Sequence, residues 1–221
     1  VLAPTGIAAI NAGGSTLHSF FKLPFHPLLP NDSMYSVRNI RNTLKYNSEK
    51  IKIIREVELI IIDEISMVRA DIIDFIDKVL RVYCRNMREP FGGKQLLLVG
   101  DIYQLEPVVK EEDRKLLNPF YRSSFFFDAK IFQQFQLVSI ELKKVYRQSD
   151  PVFIGILDHI RTSQAQMKDL QLLNQRVGAQ LDESDSKLAI TLSTRRDTVD
   201  FINENQLKLL PGEPTLFRGN I

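Results

Sequence analysis

Two adjacent carboxylates, Asp63 and Glu64, stand at the end of a continuous apolar run over 59–62. A strand that is buried on both faces of a parallel sheet has such a run, and its carboxyl end opens into the crevice where α/β proteins bind ligands. An Asp in this place typically holds the Mg²⁺ of a nucleoside triphosphate through water, and a following Glu can polarise the attacking water as a general base. Taken alone, the pattern equally fits a strand that meets a turn.

Gln104 gives a second chemical signal, because it follows another apolar run, 95–99, and the pair Gly100-Asp101. In a parallel sheet this loop would neighbour the two acids. A neutral amide can touch a terminal phosphate or its attacking water without the repulsion that a carboxylate would bring. Without that context, a Gln after a strand is more often a surface turn residue.

The elements that must position these residues alternate between strand and helix. The apolar runs at 57–62 and 95–99 flank a segment, 71–87, whose apolar residues recur at helical spacing. Strand, helix and strand at this spacing predict an α/β fold with a parallel sheet. Further predicted elements are the end of a strand at 1–4, a helix at 5–12, a third strand at 136–142, helices at 151–161 and 167–177, and a strand at 187–192 that enters a helix.

The predicted helix at 71–87 carries three acids, Asp71, Asp74 and Asp77, along one stripe. Charge on one side of an amphipathic helix is ordinary, so we predict a solvated face rather than a metal site. Cys84 is the only cysteine, which excludes an internal disulfide and a cysteine-based zinc site. We predict that it is a small core residue.

Composition bounds the class of protein. With 221 residues, 44% of them hydrophobic, the chain can bury the core of one or two domains. No window approaches the ~20 consecutive apolar residues of a membrane span, and the first residues lack a signal-peptide pattern. We therefore predict no membrane partner and a cytoplasmic location, nucleoid-associated if the source is bacterial. A net charge of +2 leaves nucleic-acid binding to local clusters of basic residues.

Six motifs, in order along the chain, resemble those of the bacterial-like Pif (petite integration frequency) helicases of the RecD/Pif group. They are Ala3–Ala9, Gly13–Phe20, Asp63–Met67, Pro90–Gln95, Gly100–Val109 and Leu142–Gln148. The motif at 90–95 is similar to that family's own signature rather than to RecD-type relatives. The resemblance covers nearly the whole chain. It implies a superfamily-one motor that hydrolyses ATP to move 5′ to 3′ on single-stranded DNA and to unwind duplexes, and often G-quadruplexes or RNA–DNA hybrids.

The resemblance also implies a fold, cofactors and residue roles. The fold would be a RecA-like P-loop NTPase sheet flanked by helices, with the start of a second RecA-like domain, and the cofactors ATP and Mg²⁺. Asp63 would bind the metal, Glu64 would activate water, Gln104 would sense the γ-phosphate, and Arg147 would reach that phosphate from across the cleft. A guanidinium suits this role because it is permanently charged and can fork onto phosphate oxygens. Without the flanking motif, Arg147 would be read as an ordinary surface ion pair.

The early motifs would contact single-stranded DNA. Backbone groups and hydroxyls there suit phosphates, while rings suit unstacked bases. The predicted DNA-binding residues are Pro4, Thr5, Gly6, Thr16, His18 and Ser19, with a phenylalanine such as Phe20 beside them. His18 could equally be a core histidine. Four basic residues could add a lip to the channel, although such residues are usually solubilising surface: Lys22, Arg38, Arg41 and Lys45.

We predict two domains. Residues 1–147 would form the first RecA-like motor domain, without its first strand and phosphate loop, and with a small wedge-like insertion around 23–50 that meets the duplex junction. Residues 148–221 would form a linker and the beginning of the second RecA-like domain. The expected partners are single-stranded DNA and duplex or G-quadruplex junctions, bound by a monomer or a weakly self-associating protein.

The sequence departs from the family in three respects. No Gly-Lys-Ser or Gly-Lys-Thr run occurs in it, the C-terminal motifs that complete the second RecA-like domain are missing, and Glu106 stands where the family usually has proline. We therefore expect the chain alone not to hydrolyse ATP, and we interpret it as a fragment with an internal start at Val1. The alternative is a non-catalytic single-strand nucleic-acid-binding or scaffold protein that has lost the phosphate loop. The presence of Asp63, Glu64, Gln104 and Arg147 together favours the helicase.

Overall fold

A computed structural model describes residues 1–180, 189–213, 215–217 and 219. The chain divides into two compact units, Val1–Ala165 and Gln166–Ile221. Among the described residues, no helix combines the length and the apolar character needed to cross a membrane. The predicted domain boundary after residue 147 stays a prediction.

A four-stranded parallel sheet organises the first unit, with the strand order β2-β1-β3-β4. In this register Ile62 lies opposite both Leu2 and Leu98, so neighbouring strands end at the same edge. The predicted parallel α/β fold is confirmed. The strands are β1 (Leu2–Ala3), β2 (Ser15–Thr16), β3 (Leu59–Ile62) and β4 (Gln95–Leu98).

Helices connect these strands and follow them. In the first unit they are α1 (Gly6–Asn11), α2 (Leu17–Phe21), α3 (Ile40–Leu44), α4 (Ser48–Glu56), α5 (Ala70–Cys84), α6 (Glu111–Leu117) and α7 (Pro151–Arg161). The described part of the second unit contains α8 (Met167–Asn174) and α9 (Arg196–Lys208). Residues 23–39 form no helix or strand. Most of the predicted helix positions are thus confirmed, and the insertion at 23–50 contains both loop and helix.

Helix α5 forms the centre of the core, as its apolar periodicity predicts. Ile73, Ile76 and Val79 are fully buried along it. The turn Pro90–Gly93 packs on this helix so closely that a Cβ on Gly92 would lie 2.7 Å from the carbonyl oxygen of Leu80. Gly92 also has a φ of 65°, which glycine adopts without strain. Close packing against α5 therefore explains why this turn needs its glycine.

The three acids of α5 do not form a solvated face, so that prediction is wrong. Each carboxylate accepts hydrogen bonds from backbone N–H groups of a different loop. The donors are Leu28 to Asp71, Lys130 and Ile131 to Asp74, and Phe91 to Asp77, over 2.6–3.0 Å. Helical periodicity identifies a polar stripe, but it does not reveal that loops pack on that stripe. The acids hold three loops on one helix.

One predicted strand is absent from the structure, and the described part of another is not a strand. The segment 136–142 is irregular, and its Val138, Ile140 and Leu142 are 91, 81 and 88% exposed. An apolar run becomes a strand only where a sheet edge pairs with it, and in the described chain β4 pairs only with β3. The predicted strand at 187–192 lies partly outside the described residues, and 189–192 are not in a strand.

Candidate active site and nucleic-acid interface

The turn after β3 is fixed between the ends of β1 and β4. The backbone N–H of Asp63 donates to the carbonyl of Leu2 over 2.9 Å, and that of Val99 donates to the carbonyl of Ile62 over 2.9 Å. Beyond the strand, the N–H of Ile65 donates back to the carbonyl of Val99 over 3.0 Å. The acid pair therefore lies where three parallel strands end, as the sequence predicts.

Glu64 has a left-handed backbone conformation, with φ 52° and ψ 44°. For a residue with a Cβ this costs roughly 1–2 kcal/mol, and such strain collects at functional sites. One carboxylate oxygen of Asp63 accepts the N–H of Glu64 over 2.9 Å, which stabilises the turn. Both acids are half-buried. The chain thus places a carboxylate where glycine would be the more stable residue.

The loop after β4 packs directly on the acid turn. A Cβ on Gly100 would lie 2.9 Å from the backbone nitrogen of Ile65, so only glycine allows this approach. Asp101 then accepts the backbone N–H of Tyr103 over 3.0 Å and the side-chain amide of Gln104 over 3.1 Å. Because the amide nitrogen of Gln104 donates to Asp101, its carbonyl oxygen stays available as an acceptor on an exposed side chain.

The two arginines near the end of the first unit differ in position. Arg147 is exposed in an irregular segment, and no hydrogen bond or ion pair among the described residues joins it to the acids or to Gln104. Arg161, at the end of α7, places its guanidinium carbon 5.3 Å from the ring centroid of Tyr103. The structure therefore brings Arg161 to the loop of Gln104, and it records no such contact for Arg147. The motif series did not single out Arg161.

Thr5 and Thr16 each cap a helix that begins directly after a strand. The hydroxyl oxygen of Thr5 accepts the N–H of Ala8, and that of Thr16 accepts the N–H of Ser19, both over 3.2 Å. A hydroxyl that accepts in this way still has its own proton to donate. Both O–H groups therefore remain available to a phosphate oxygen at the same edge of the sheet as the acids.

His18 stacks on Phe25, with ring centroids 5.4 Å apart and an angle of 12° between the planes. Phe25 is 89% exposed, so the pair presents an aromatic surface. Burial, and then the charge of Arg69, lowers the pKa of His18 below its usual value, although Asp71 opposes the shift. The ring is therefore neutral near pH 7, which suits stacking on a base.

Phe20, the phenylalanine that the sequence suggested beside the DNA-binding residues, is half-buried. Its face is covered by the ammonium group of Lys50, which lies 3.3 Å from the ring centroid, and its neighbour Phe21 packs edge-on at 4.9 Å. Phe25 takes the place beside His18. The spacing of residues along the chain does not distinguish the two rings, because residues 23–39 form an irregular loop whose return path is set by tertiary contacts.

A buried ion pair, which the sequence did not indicate, links the acid turn to the part of the edge around His18 and Phe25. Arg69, two residues after the acid-bearing motif, donates to both carboxylate oxygens of Asp71 over 2.7 and 2.9 Å. Asp71 also accepts the N–H of Leu28 in the insertion. The pattern Arg-x-Asp at a helix start is too common to have indicated such a pair.

Comparison with known proteins gives consistent matches. A family model described as PIF1-like helicase matches residues 1–170. The ATP-dependent DNA helicase PIF1 of Danio rerio is 33% identical over 217 residues, 95% of this chain and 30% of that protein. The chain thus spans about 30% of the length of this curated relative.

Solved structures agree with the sequence matches. A Bacteroides Pif1 helicase in complex with ADP-AlF3 and ssDNA is 40% identical with a TM-score of 0.85, covering 96% of this chain and 47% of that one. A structure of two coordinating Pif1 helicases, which concerns DNA unwinding at forked dsDNA, is 42% identical with a TM-score of 0.83, covering 93% and 46%. The sheet described above is therefore that of a RecA-like motor domain, as the resemblance implied.

Proposed function

Because this chain belongs to the PIF1-like helicase family, we propose that it forms part of an ATP-dependent DNA helicase. The proposed activity is 5′ to 3′ movement on single-stranded DNA, with unwinding of duplex or G-quadruplex DNA in repair, replication or genome maintenance. The observation that best supports it is the Ile65–Val99 hydrogen bond, since it joins the turn of Glu64 to the loop of Gln104. These two residue types suit activation of water and contact with a terminal phosphate.

Asp63 fits the role of a Mg²⁺ ligand. Its second carboxylate oxygen accepts no protein hydrogen bond within the part of the chain that the structure describes. Mg²⁺ is usually held by one or two carboxylates, and waters and phosphate oxygens supply the remaining ligands. The absence of a cluster of three His, Cys, Asp or Glu side chains among the described residues agrees with this mode. When bound, the ion would neutralise charge on the phosphates.

Glu64, Gln104 and Arg147 would act on the terminal phosphate. The carboxylate of Glu64 would accept a proton from the attacking water, and the free carbonyl oxygen of Gln104 would orient that water. Arg147 would contribute positive charge to the transition state. Its exposed segment leaves the side chain accessible to a phosphate. Side chains positioned in this way stabilise the charge that the three γ-phosphate oxygens carry in the transition state.

The DNA track would use the carboxyl ends of β1 and β2. Backbone groups at Pro4 and Gly6, together with the hydroxyls of Thr5, Thr16 and Ser19, would position phosphates, and the His18–Phe25 stack would receive a base.

Residues 1–147 would be the first motor domain, with a wedge at 23–50, and residues 148–221 would be the linker and the start of the second motor domain. We propose a monomer or weak self-association, and the cytoplasmic location, nucleoid-associated if the source is bacterial, stays a prediction.

DNA-stimulated ATP hydrolysis and fork unwinding by the full-length gene product test this function. We expect turnover to rise on addition of single-stranded DNA, and a fork with a 5′ tail to be unwound. Binding of DNA without any hydrolysis would instead indicate the non-catalytic alternative. The strained Glu64 favours catalysis, because a binding protein gains nothing from a carboxylate in a left-handed turn.

Replacement of Gln104 by alanine is expected to uncouple DNA binding from hydrolysis. Hydrogen bonds to charged groups contribute about 1.5–3 kcal/mol, so DNA-stimulated turnover should fall by roughly tenfold or more, while the affinity for DNA stays unchanged. Steady-state ATPase assays with and without DNA measure this. Exposed Gln133 offers a control, since Gln133→Ala removes an amide far along the chain from this loop. Unchanged coupling in Gln104→Ala would remove the sensor role.

His18→Ala should weaken binding of single-stranded DNA by roughly 5- to 150-fold, since one stacked base contributes about 1–3 kcal/mol. Thr16→Ala should add to the loss, whereas Thr16→Ser keeps both the cap and the donor. Fluorescence anisotropy with an oligonucleotide, repeated over several salt concentrations, measures the change. If the salt-dependent binding curve of the variant matches that of the unsubstituted protein, both residues have a purely structural role.

A further inference from the structure

An open groove of about 310 Å³ lies where α2 ends and α4 begins, at the two ends of the 23–50 insertion. Three lysines and one carboxylate are among its lining residues, which gives it a net positive charge. The polar residues that line it are Ser19, Lys22, Lys45, Asn47, Glu49 and Lys50. None of these residues belongs to the predicted nucleotide site.

Aromatic rings, rather than acids, hold two of the three lysines. The ammonium nitrogen of Lys50 lies 3.3 Å from the ring centroid of Phe20, and that of Lys22 lies 5.7 Å from that of Tyr46. Within the described ranges, no carboxylate comes within 4 Å of any lysine in the groove. Burial, and then the charge of Lys22, lowers the pKa of Lys50. A cation–π contact fixes an ammonium without neutralising it, so the groove keeps charge that an anion would balance.

Two of the groove lysines have a backbone conformation that glycine would adopt with less strain. Lys22 and Lys45 are the C-cap residues of α2 and α3, and both are left-handed, with φ of 49° and 45°. Glycine is the residue that helix ends favour in this conformation, because a Cβ is strained there. The chain therefore carries two lysines, at the same groove, in places where glycine would be more stable.

We infer that this groove binds phosphate groups of the nucleic-acid backbone, through its lysines and the hydroxyl of Ser19. The inference rests on the proposed function and extends the DNA track from Ser19, which already belongs to it, to Lys22, Lys45 and Lys50. Ammonium and hydroxyl donors are the groups that proteins typically place against DNA phosphates. The source of the phosphate is either the translocating single strand or the duplex arm beside the insertion, and both have the same chemistry.

The decisive variant in the full-length gene product is Lys22→Gly with Lys45→Gly. Because glycine relieves the strain at both caps, the melting temperature should rise. Removal of two phosphate contacts should lower the slope of log affinity against log salt by about 1.4 on single strands, and the affinity by roughly tenfold. Arg85→Gly is the matched control, since Arg85 is the left-handed C-cap of α5 at φ 58° and lies outside the groove. It should give the thermal gain without the loss of affinity.

Anisotropy with a single strand and with a fork separates the outcomes. A loss on both substrates assigns the groove to the single strand, a loss only on the fork assigns it to the duplex arm, and either supports phosphate binding. Unchanged affinity and salt slope, in the double variant and in a triple Lys→Gln variant with Lys50, would overturn the inference. If the unsubstituted protein binds neither DNA, the proposed function fails instead. Lys→Arg at all three sites should keep the affinity.

Discussion

Glu64→Gln in the full-length gene product is expected to lower DNA-stimulated ATP turnover by roughly 10²- to 10⁴-fold, the usual contribution of a general base. Glutamine has the same size but does not accept a proton from water at neutral pH. Nucleotide binding should change little, because Asp63 keeps the carboxylate oxygen that would serve the metal. Steady-state ATPase assays and titration with a fluorescent nucleotide separate the two effects.

Two further variants test the same residue. Glu64→Gly should be equally inactive, yet more stable to heat, because glycine adopts φ 52° without strain. Glu58→Gln makes the same chemical change at the exposed opposite end of β3 and should leave turnover unaffected. Near-normal turnover in Glu64→Gln would remove the assignment of Glu64 as the base, even if the family membership stands.

The sheet could be predicted because its signals are local and strong. The apolar runs became β3 and β4, although β4 is only half-buried along one face, and the helical spacing of α5 reports burial in the core. The run at 136–142 carries a similar local signal but forms no strand, because pairing depends on a sheet edge elsewhere in the chain. The outer edge of β4 is unpaired in the described chain, so an apolar run beside an available edge does not by itself specify that the two pair.

The candidate site could be predicted only in part. Motifs place Asp63 and Glu64 at a strand end, and the sheet register brings the loop that carries Gln104 against their turn. What the sequence did not indicate is which side chains meet across the fold, such as Gln104 with Asp101 or His18 with Phe25. These contacts depend on irregular loops, whose paths are set by tertiary hydrogen bonds rather than by periodicity.

The same limit explains the acids of α5, of which Asp71 is the clearest case. Its side chain is completely buried, and it accepts hydrogen bonds from Arg69 and from the backbone of Leu28. Arg69 is the N-cap residue of α5, two residues after the motif Asp63–Met67, and its charge lies close enough to lower the pKa of His18. One ion pair therefore connects the motif of Glu64, the insertion and the proposed DNA track.

Loss of either partner of this pair is expected to destabilise the fold severely. Asp71→Ala leaves Arg69 as an unpaired charge that is only 13% exposed, and Arg69→Ala leaves the buried carboxylate, so each should cost about 3–5 kcal/mol. The double variant Arg69→Met/Asp71→Leu removes both charges and should recover most of the loss. About 1–3 kcal/mol should remain, because the N–H of Leu28 still lacks its acceptor.

Urea unfolding of the unsubstituted protein and the three variants measures these changes in stability. The exposed pair Lys52–Glu56, with nitrogen and oxygen 3.9 Å apart, provides the contrast, because replacement of Glu56 should change the stability by less than about 1 kcal/mol. If Asp71→Ala proves as mild as that control, the pair does not hold the insertion. If the cost is as large as expected, then the Arg69–Asp71 pair fixes the insertion, the aromatic surface of His18 and the turn of Glu64 to one another. Neither the motif that contains His18 nor the motif that contains Glu64 includes this pair.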